Sequence, residues 1–148
     1  MLFSLLYMLA PKQTKYRKTF KSFPSTLKYS NNKLYFGSQG MSALGNSRVS
    51  SAQLEASRRA ITRKIKRRGK LWINRFPHIP VTSKPTEVRM GKGKGSVAYW
   101  SSSIKPGTVL FELEGISKEL GKQALILASN KLSCSTKFIK QNSTLSEK

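Results

Sequence analysis

Residues 50–69, SSAQLEASRRAITRKIKRRG, combine a helix start, an apolar stripe and a helix stop. Ser50-Ser51-Ala52-Gln53 has the form of a capping box and Gly69 is a typical stop, so we predict a helix from Ser51 to Arg68. A helix advances by about 100° per residue, which brings its spaced apolar residues onto one stripe. That stripe consists of Leu54, Ile61 and Ile65. It must be buried against other elements.

The opposite face of this helix is basic. It carries Arg59, Arg63, Lys66 and Arg67, with Arg58 and Arg68 beside them. A face that only meets water normally includes acidic partners at i,i+4, and after Glu55 this helix has none. We therefore expect this face to contact RNA.

The residues around the helix predict a sheet. Strands are expected at 33–36, 41–44, 71–76, 97–104, 109–113 and 136–139, and a second helix, capped by Ser117, is expected to run to Lys131. The turn Lys105-Pro106-Gly107-Thr108 joins two of the strands in a hairpin. We predict an α+β fold, a compact sheet packed against two helices. Trp72 and Trp100 fall inside predicted strands, which favours packing over base stacking.

Prolines and glycines predict a long projecting loop at residues 77–95. Pro77, Pro80 and Pro85 disfavour helix and central strand, and the segment ends in Arg89-Met90-Gly91-Lys92-Gly93-Lys94-Gly95. Alternate glycines let backbone N–H groups approach an anion, while the lysines supply charge. A nucleotide-binding P-loop would continue into Lys and Ser or Thr before a helix, whereas Gly95 leads into a strand-like stretch. The expected ligand is a polyanion.

The overall charge indicates the same kind of partner. The chain has 148 residues with 28 Lys and Arg against 6 acidic residues, a net charge of +22. Such a chain repels itself, and a nucleic acid relieves that repulsion while releasing counterions. The length suits one domain with a modest core.

Catalysis and metal binding are disfavoured. The chain has no aspartate, and its single Cys134 and single His78 lie far apart, so no acid/base or nucleophile set can be assembled. A lone cysteine forms neither an internal disulfide nor a usual zinc site. We expect no catalytic residue, no metal and no cofactor.

Short blocks of sequence along most of the chain together resemble the universal large-subunit ribosomal protein L-sixteen family, called L-ten in the eukaryotic cytosolic ribosome. The blocks follow the family's order and spacing between about Met8 and Ile139. In chain order, the first blocks are Pro11-Lys12-Gln13-Thr14-Lys15-Tyr16-Arg17-Lys18, Glu55-Ala56-Ser57-Arg58-Arg59-Ala60, Gly69-Lys70-Leu71-Trp72-Ile73, Lys84-Pro85-Thr86-Glu87-Val88-Arg89, Lys105-Pro106-Gly107 and Leu110-Phe111-Glu112. The fourth block continues to Gly95, and Lys131-Leu132 with Thr136-Lys137-Phe138 completes the match.

The resemblance implies a structural protein of the large ribosomal subunit that is not an enzyme. It implies binding to large-subunit rRNA near the peptidyl-transferase region and central protuberance, with tRNA near the projecting loop and ribosomal proteins as neighbours. It implies no small-molecule substrate. The RNA-binding candidates are Lys12, Lys15, Arg17, Lys18, Arg58, Arg59, Arg63, Lys66, Arg67, Arg68, Lys84, Arg89, Met90, Gly91, Lys92, Gly93, Lys94 and Gly95. A free RNA-binding or ribosome-assembly factor is the alternative.

The chain departs from the family at two places. His78-Ile79 stands where members often have Asp-Lys, and Phe20-Lys21-Ser22-Phe23-Pro24 replaces a Gly/Arg-rich run. The ending 131–138, the lead-in Pro85-Thr86-Glu87-Val88, the many serines and the lack of aspartate resemble mitochondrial members. We expect a mitochondrial ribosome, with a plastid or bacterial ribosome as the alternative.

We expect three parts along the chain. Residues 1–10 form an apolar extension, 11–140 an rRNA-binding domain that includes a basic arm at 11–33, and 141–148 a tail. The extension is too short to span a bilayer. Whether Met1 or Met8 is the start stays open.

Overall fold

The computed structural model describes residues 9–20 and 33–141. Predictions for residues 1–8, 21–32 and 142–148 concern most of the apolar extension, the second half of the basic arm and the tail. They lie outside the described residues.

The described chain folds as α+β, as predicted. Its elements, in order, are β1 (Gln39–Ala43), β2 (Ser47–Ser50), α1 (Ser51–Lys64), β3 (Lys70–Ile73), β4 (Ile79–Ser83), β5 (Ser96–Ile104), β6 (Val109–Glu114), α2 (Lys118–Ser129) and β7 (Thr136–Lys140). The strands form two antiparallel sheets, a four-stranded one in the order β3-β6-β1-β7 and a three-stranded one in the order β2-β5-β4.

Helix α1 begins as its sequence predicts. The Ser50 side chain accepts a hydrogen bond from the Gln53 backbone N–H, and the Gln53 side chain accepts one from the Ser50 N–H, which completes the capping box. The stripe of Leu54, Ile61 and Ile65 is buried. The cap therefore fixes both the start of the helix and the rotation of its basic face.

The core lies between the helices and the sheets. Helix α2 packs on β1 and β7 of the four-stranded sheet, and α1 packs on β2 and β5. The two helices approach closely because small residues meet: the buried Ser57 hydroxyl on α1 donates to the Ala128 carbonyl oxygen on α2 at 3.2 Å. Phe111 and Leu113 are fully buried between sheet and helices.

The projecting loop is shorter than predicted. Residues 79–83 form β4, which pairs with β5, so the irregular segment is 84–95 rather than 77–95. Three prolines led to the longer prediction, but β4 is an edge strand, where a residue without an N–H is tolerated. Pro80 occupies such a position, opposite Trp100.

Other boundaries also differ from the predictions. Residues 33–36 are not a strand, because the backbone N–H groups of Tyr35 and Phe36 donate to a side chain, Glu112, and not to a neighbouring strand. The strand predicted at 71–76 covers only 70–73, and the short β2 was not predicted. Trp72 also differs from expectation, because Leu71 and Ile73 pack against the core whereas Trp72 points to the opposite face of the sheet.

A buried carboxylate organises that opposite face. Glu112, in the middle of β6, is fully buried, and its oxygens accept hydrogen bonds from the backbone N–H groups of Tyr35, Phe36 and Gly37. The Asn74 side-chain amide is a fourth donor. Residues 35–37 therefore cannot donate to a neighbouring strand, which is why they are not a strand themselves. The carboxylate attaches this segment to the sheet.

We predict that Glu112→Gln destabilises the fold. A glutamine at this position would retain one acceptor oxygen but place an NH₂ group against N–H donors, which leaves buried groups unsatisfied. The expected cost is about 2–3 kcal/mol, the range for charged hydrogen bonds and buried unsatisfied groups. Urea unfolding of the two proteins measures it.

Glu114→Gln is the matched control. Glu114 ends the same strand and is exposed, so the same chemical change should alter the free energy of unfolding by less than about 0.5 kcal/mol. Equal effects of the two substitutions would show that the carboxylate of Glu112 does not hold residues 35–37.

Candidate nucleic-acid interface

The end of α1 forms a basic concavity, which we call the helix-end groove. It is lined by one hydroxyl residue and five cations: Thr62, Arg58, Arg59, Arg63, Lys66 and Arg67. Its volume is about 470 Å³. Five of the predicted RNA-binding residues therefore share one surface. The sixth from this stretch, Arg68, is exposed but does not line the groove.

The groove depends on an unusual helix end. The helix ends at Lys64, four residues before the predicted end at Arg68. The Lys66 N–H donates to the Arg63 carbonyl oxygen and the Arg67 N–H donates to the Thr62 carbonyl oxygen, at 3.3 and 3.2 Å. These are the two bonds of a Schellman motif. The chain therefore turns back at Lys66 and does not continue as helix.

Lysine occupies the position in this motif that usually belongs to glycine. Lys66 has φ of 52° and Arg67 has φ of 61°, both in the left-handed region. That region costs a residue with a side chain on the order of 1 kcal/mol. The usual stop signal, Gly69, lies further along the chain, which explains why the sequence indicated a longer helix. The strained turn keeps two cations beside the helix.

One carboxylate partly neutralises the groove. Glu55 forms ion pairs with Arg58 at 2.7 Å and with Arg59 at 2.9 Å. The Arg58 hydrogen bond is the main reason that the pKa of the Glu55 carboxyl lies below its usual value, and Glu55 in turn raises the pKa of Arg58. Within residues 9–20 and 33–141, Arg63, Lys66 and Arg67 have no ion-pair partner. Their charge is available to an external anion.

The loop 84–95 has a left-handed tip. Gly91, Lys92 and Gly93 have φ of 95°, 53° and 86°. Added Cβ atoms at Gly91 and Gly93 would meet nothing within 4 Å, so the glycines serve the backbone conformation and leave the surface accessible. The Lys84 ammonium donates to the Gly91 carbonyl oxygen and connects the base of the loop to its tip.

The described part of the basic arm lies against this loop. The Lys18 ammonium donates to the Lys94 carbonyl oxygen at 2.9 Å, and the Lys94 ammonium donates to the Thr19 carbonyl oxygen. The Lys94 ammonium also lies 5.8 Å from the centre of the Phe20 ring. Two segments that the sequence predicted separately thus form one basic surface, which we call the arm–loop surface.

The remaining predicted residues are exposed on these two segments. Arm residues Lys12, Lys15 and Arg17 and loop residues Arg89 and Met90 face outward. Lys15 also lies over the ring of Tyr16, 5.5 Å from its centre. Gly95 lies at the base of the loop, where an added Cβ would come within 2.4 Å of the Ser83 carbonyl oxygen. Gly95 is therefore a packing position.

The sequence interpretation missed Thr62 and Lys131. Lys131 lines a second concavity of about 350 Å³ with Arg59 and Arg63. It follows α2, and only the packing of α2 on α1 brings it to the basic face. No periodicity within either helix could indicate that contact.

Other groups offer little chemistry. In the described residues, no three His, Cys, Asp or Glu side chains form a metal-binding group, and no helix is long and apolar enough to cross a membrane. Burial raises the pKa of the Cys134 thiol, which disfavours its reactive thiolate form. His78 is exposed, and its Nδ1 lies 3.2 Å from the Phe76 carbonyl oxygen.

Comparison with known proteins identifies the family. The family described as Ribosomal protein L16p/L10e matches residues 11–139. Proteins named "Large ribosomal subunit protein uL16" from Allorhizobium ampelinum and Sinorhizobium medicae are each 52% identical over 134 residues, covering 90% of this chain and 98% of theirs. The protein of that name from Mesorhizobium japonicum is 53% identical over 135 residues, with the same coverage. The chain belongs to the L16p/L10e family of ribosomal proteins.

Proposed function

We propose that this chain is a structural constituent of the large ribosomal subunit that binds rRNA through the helix-end groove and the arm–loop surface. The observation that carries the proposal is the convergence of Arg63, Lys66 and Arg67 in a groove where no carboxylate among the described residues pairs with them. A cation cluster of this kind neutralises backbone phosphates, which are the main source of affinity in nucleic-acid binding. The family is one of ribosomal proteins and not of enzymes.

We further propose that the arm–loop surface lies near tRNA in the ribosome, by the peptidyl-transferase region and central protuberance. What supports this is an exposed left-handed tip with cations on both sides of its glycines. Such a tip can come close to a phosphate backbone because no Cβ shields its peptide groups.

Sedimentation distinguishes a ribosomal constituent from a free RNA-binding or assembly factor. We expect a tagged full-length chain to sediment with translating large subunits at moderate salt, because a structural component stays in the finished particle. Presence only in immature subunits or in free fractions would favour the assembly-factor alternative.

The compartment stays a prediction from sequence features. The bacterial relatives fit a bacterial ribosome more than the mitochondrial ribosome expected from the sequence. Fractionation of the source cells tests it: recovery of the chain with mitochondrial ribosomes would support the original expectation, and recovery with the main bacterial or plastid ribosomes would contradict it.

Lys66→Gly separates stability from binding. Glycine adopts the left-handed conformation without strain, so the free energy of unfolding should rise by about 0.5–1 kcal/mol. The loss of one phosphate contact should weaken binding to a large-subunit rRNA fragment several-fold at low salt. Urea unfolding and filter binding measure the two effects. Lys64→Gly, two residues earlier at the last residue of α1, is the control and should destabilise by about 1 kcal/mol. Unchanged RNA affinity in Lys66→Gly would contradict RNA binding by the helix-end groove through Lys66.

Gly93→Val tests the loop tip. A β-branched residue is disfavoured at φ of 86° and would shield the backbone from RNA, so we expect slower peptide synthesis or subunit maturation. No atom lies within 4 Å of the new Cβ, so the exposed tip can rearrange to relieve the backbone strain and the rest of the fold should lose little stability. Gly45→Val is the control, because Gly45 also has open space around it but no left-handed φ. Equal translation by the two variants would show that the tip has no such role.

A further inference from the structure

The sheet face opposite the helices carries an open cleft, which we call the aromatic cleft. Its lining includes three aromatic rings and two cations: Tyr35, Phe36, Trp72, Lys33 and Arg75. Its volume is about 770 Å³, larger than the helix-end groove. None of these five residues lines the helix-end groove. The cleft is therefore a separate feature of the surface.

Two of the aromatic rings stack on each other, and two are largely exposed to solvent. Phe36 and Trp72 stack with ring centres 6.0 Å apart and planes inclined by 19°. Tyr35 is 72% exposed and Phe36 is 60% exposed. Single exposed apolar residues are common, but adjacent rings held at the surface beside cations form a patch that fits a flat apolar partner.

The cleft is also held in place before any partner binds. The Glu112 carboxylate binds the backbone of residues 35–37, and the buried Leu34 side chain packs against Gly40, where an added Cβ would come within 2.4 Å of it. A site fixed in this way loses little conformational entropy on binding. The rings are thus presented as a rigid platform.

The charge of the cleft selects an anionic partner. Lys33 and Arg75 line it, and no acidic residue of the described part of the chain does. Glu112 lies beneath, but its oxygens are buried and already accept from four donors. A second copy of this chain would bring a net charge of +22 and be repelled. An acidic protein segment would satisfy the cations but leave the rings uncovered.

We propose that the aromatic cleft binds an unpaired nucleotide of RNA, with the base stacked on Phe36 and the phosphate neutralised by Lys33 or Arg75. A nucleotide combines the flat ring and the negative charge that this lining fits. The proposal rests on the proposed rRNA-binding function. The aromatic cleft binds a base of single-stranded RNA, whereas the helix-end groove and the arm–loop surface contact phosphates.

Fluorescence of Trp72 tests for the stacked base. In full-length protein carrying Trp100→Phe, Trp72 is the only tryptophan. We expect a short oligoadenylate to quench its fluorescence, because a base stacked on Phe36 enters the cleft that the Trp72 indole lines. An abasic oligomer with the same number of phosphates should bind through charge without quenching. Equal quenching by both, or by neither, would overturn the nucleotide assignment.

Phe36→Ala measures the contribution of the platform. Stacking on an aromatic residue contributes enough that we expect roughly a tenfold or greater loss of oligoadenylate affinity. Tyr99→Ala is the matched control, since Tyr99 is an exposed aromatic residue outside the cleft. The affinity of this variant for oligoadenylate should equal that of the wild type. Circular dichroism checks that both variants fold. Equal affinities would overturn the proposal.

The failure of this proposal can be told apart from failure of the proposed function. If Arg63→Gln weakens rRNA binding while Trp72 shows no base-dependent quenching, only the cleft assignment fails. If the folded protein binds no RNA at all, the rRNA-binding function fails with it. In assembled particles, a photo-crosslinking residue in place of Phe36 should link to rRNA. Linkage to a protein would overturn the proposal in favour of a protein-docking surface.

Discussion

A scarcity of carboxylates governs how this chain folds and how it presents its charge. Six acidic residues accompany 28 Lys and Arg, so the fold cannot neutralise its own charge. Two of the six have distinct structural uses. Glu112 binds backbone N–H groups and attaches residues 35–37 to the sheet, and Glu55 positions Arg58 and Arg59 on α1. Arg63 and Lys64, the other cations of α1, are exposed and have no ion-pair partner in the part of the chain that the structure describes, so a polyanion can neutralise them.

Left-handed backbone recurs where cations are presented. It turns the chain at Lys66 and Arg67 after α1, and it shapes the tip at Gly91, Lys92 and Gly93. At the helix end, lysine accepts strain that glycine would avoid, whereas at the tip glycines flank the lysine. Strain at sites that serve a partner is a known compromise between stability and function. Both turns place cationic residues at exposed positions.

Local signals in the sequence predicted the elements whose stability is local. The capping box and the stripe Leu54, Ile61 and Ile65 were confirmed, because both depend on spacing within one helix. The wrong predictions concern residues whose structural partners are distant in sequence. Residues 35–37 are held by Glu112, β4 exists because an edge of the sheet tolerates Pro80, and Lys131 joins the basic face through helix packing. Trp72 was expected in the core, and strand alternation placed it on the other face.

Neutralisation of RNA phosphates by the helix-end groove would make binding depend on salt. The most direct measurement is the slope of the logarithm of rRNA-fragment affinity against the logarithm of salt concentration, for the wild type and for the double variant Arg63→Gln/Arg67→Gln. Each phosphate contact contributes roughly 0.7–0.9 to this slope, so removing two should reduce its magnitude by about 1.5. Lys118→Gln/Lys122→Gln on α2, outside the groove, should leave it unchanged. An unchanged slope in the groove variant would show that Arg63 and Arg67 do not neutralise RNA phosphates.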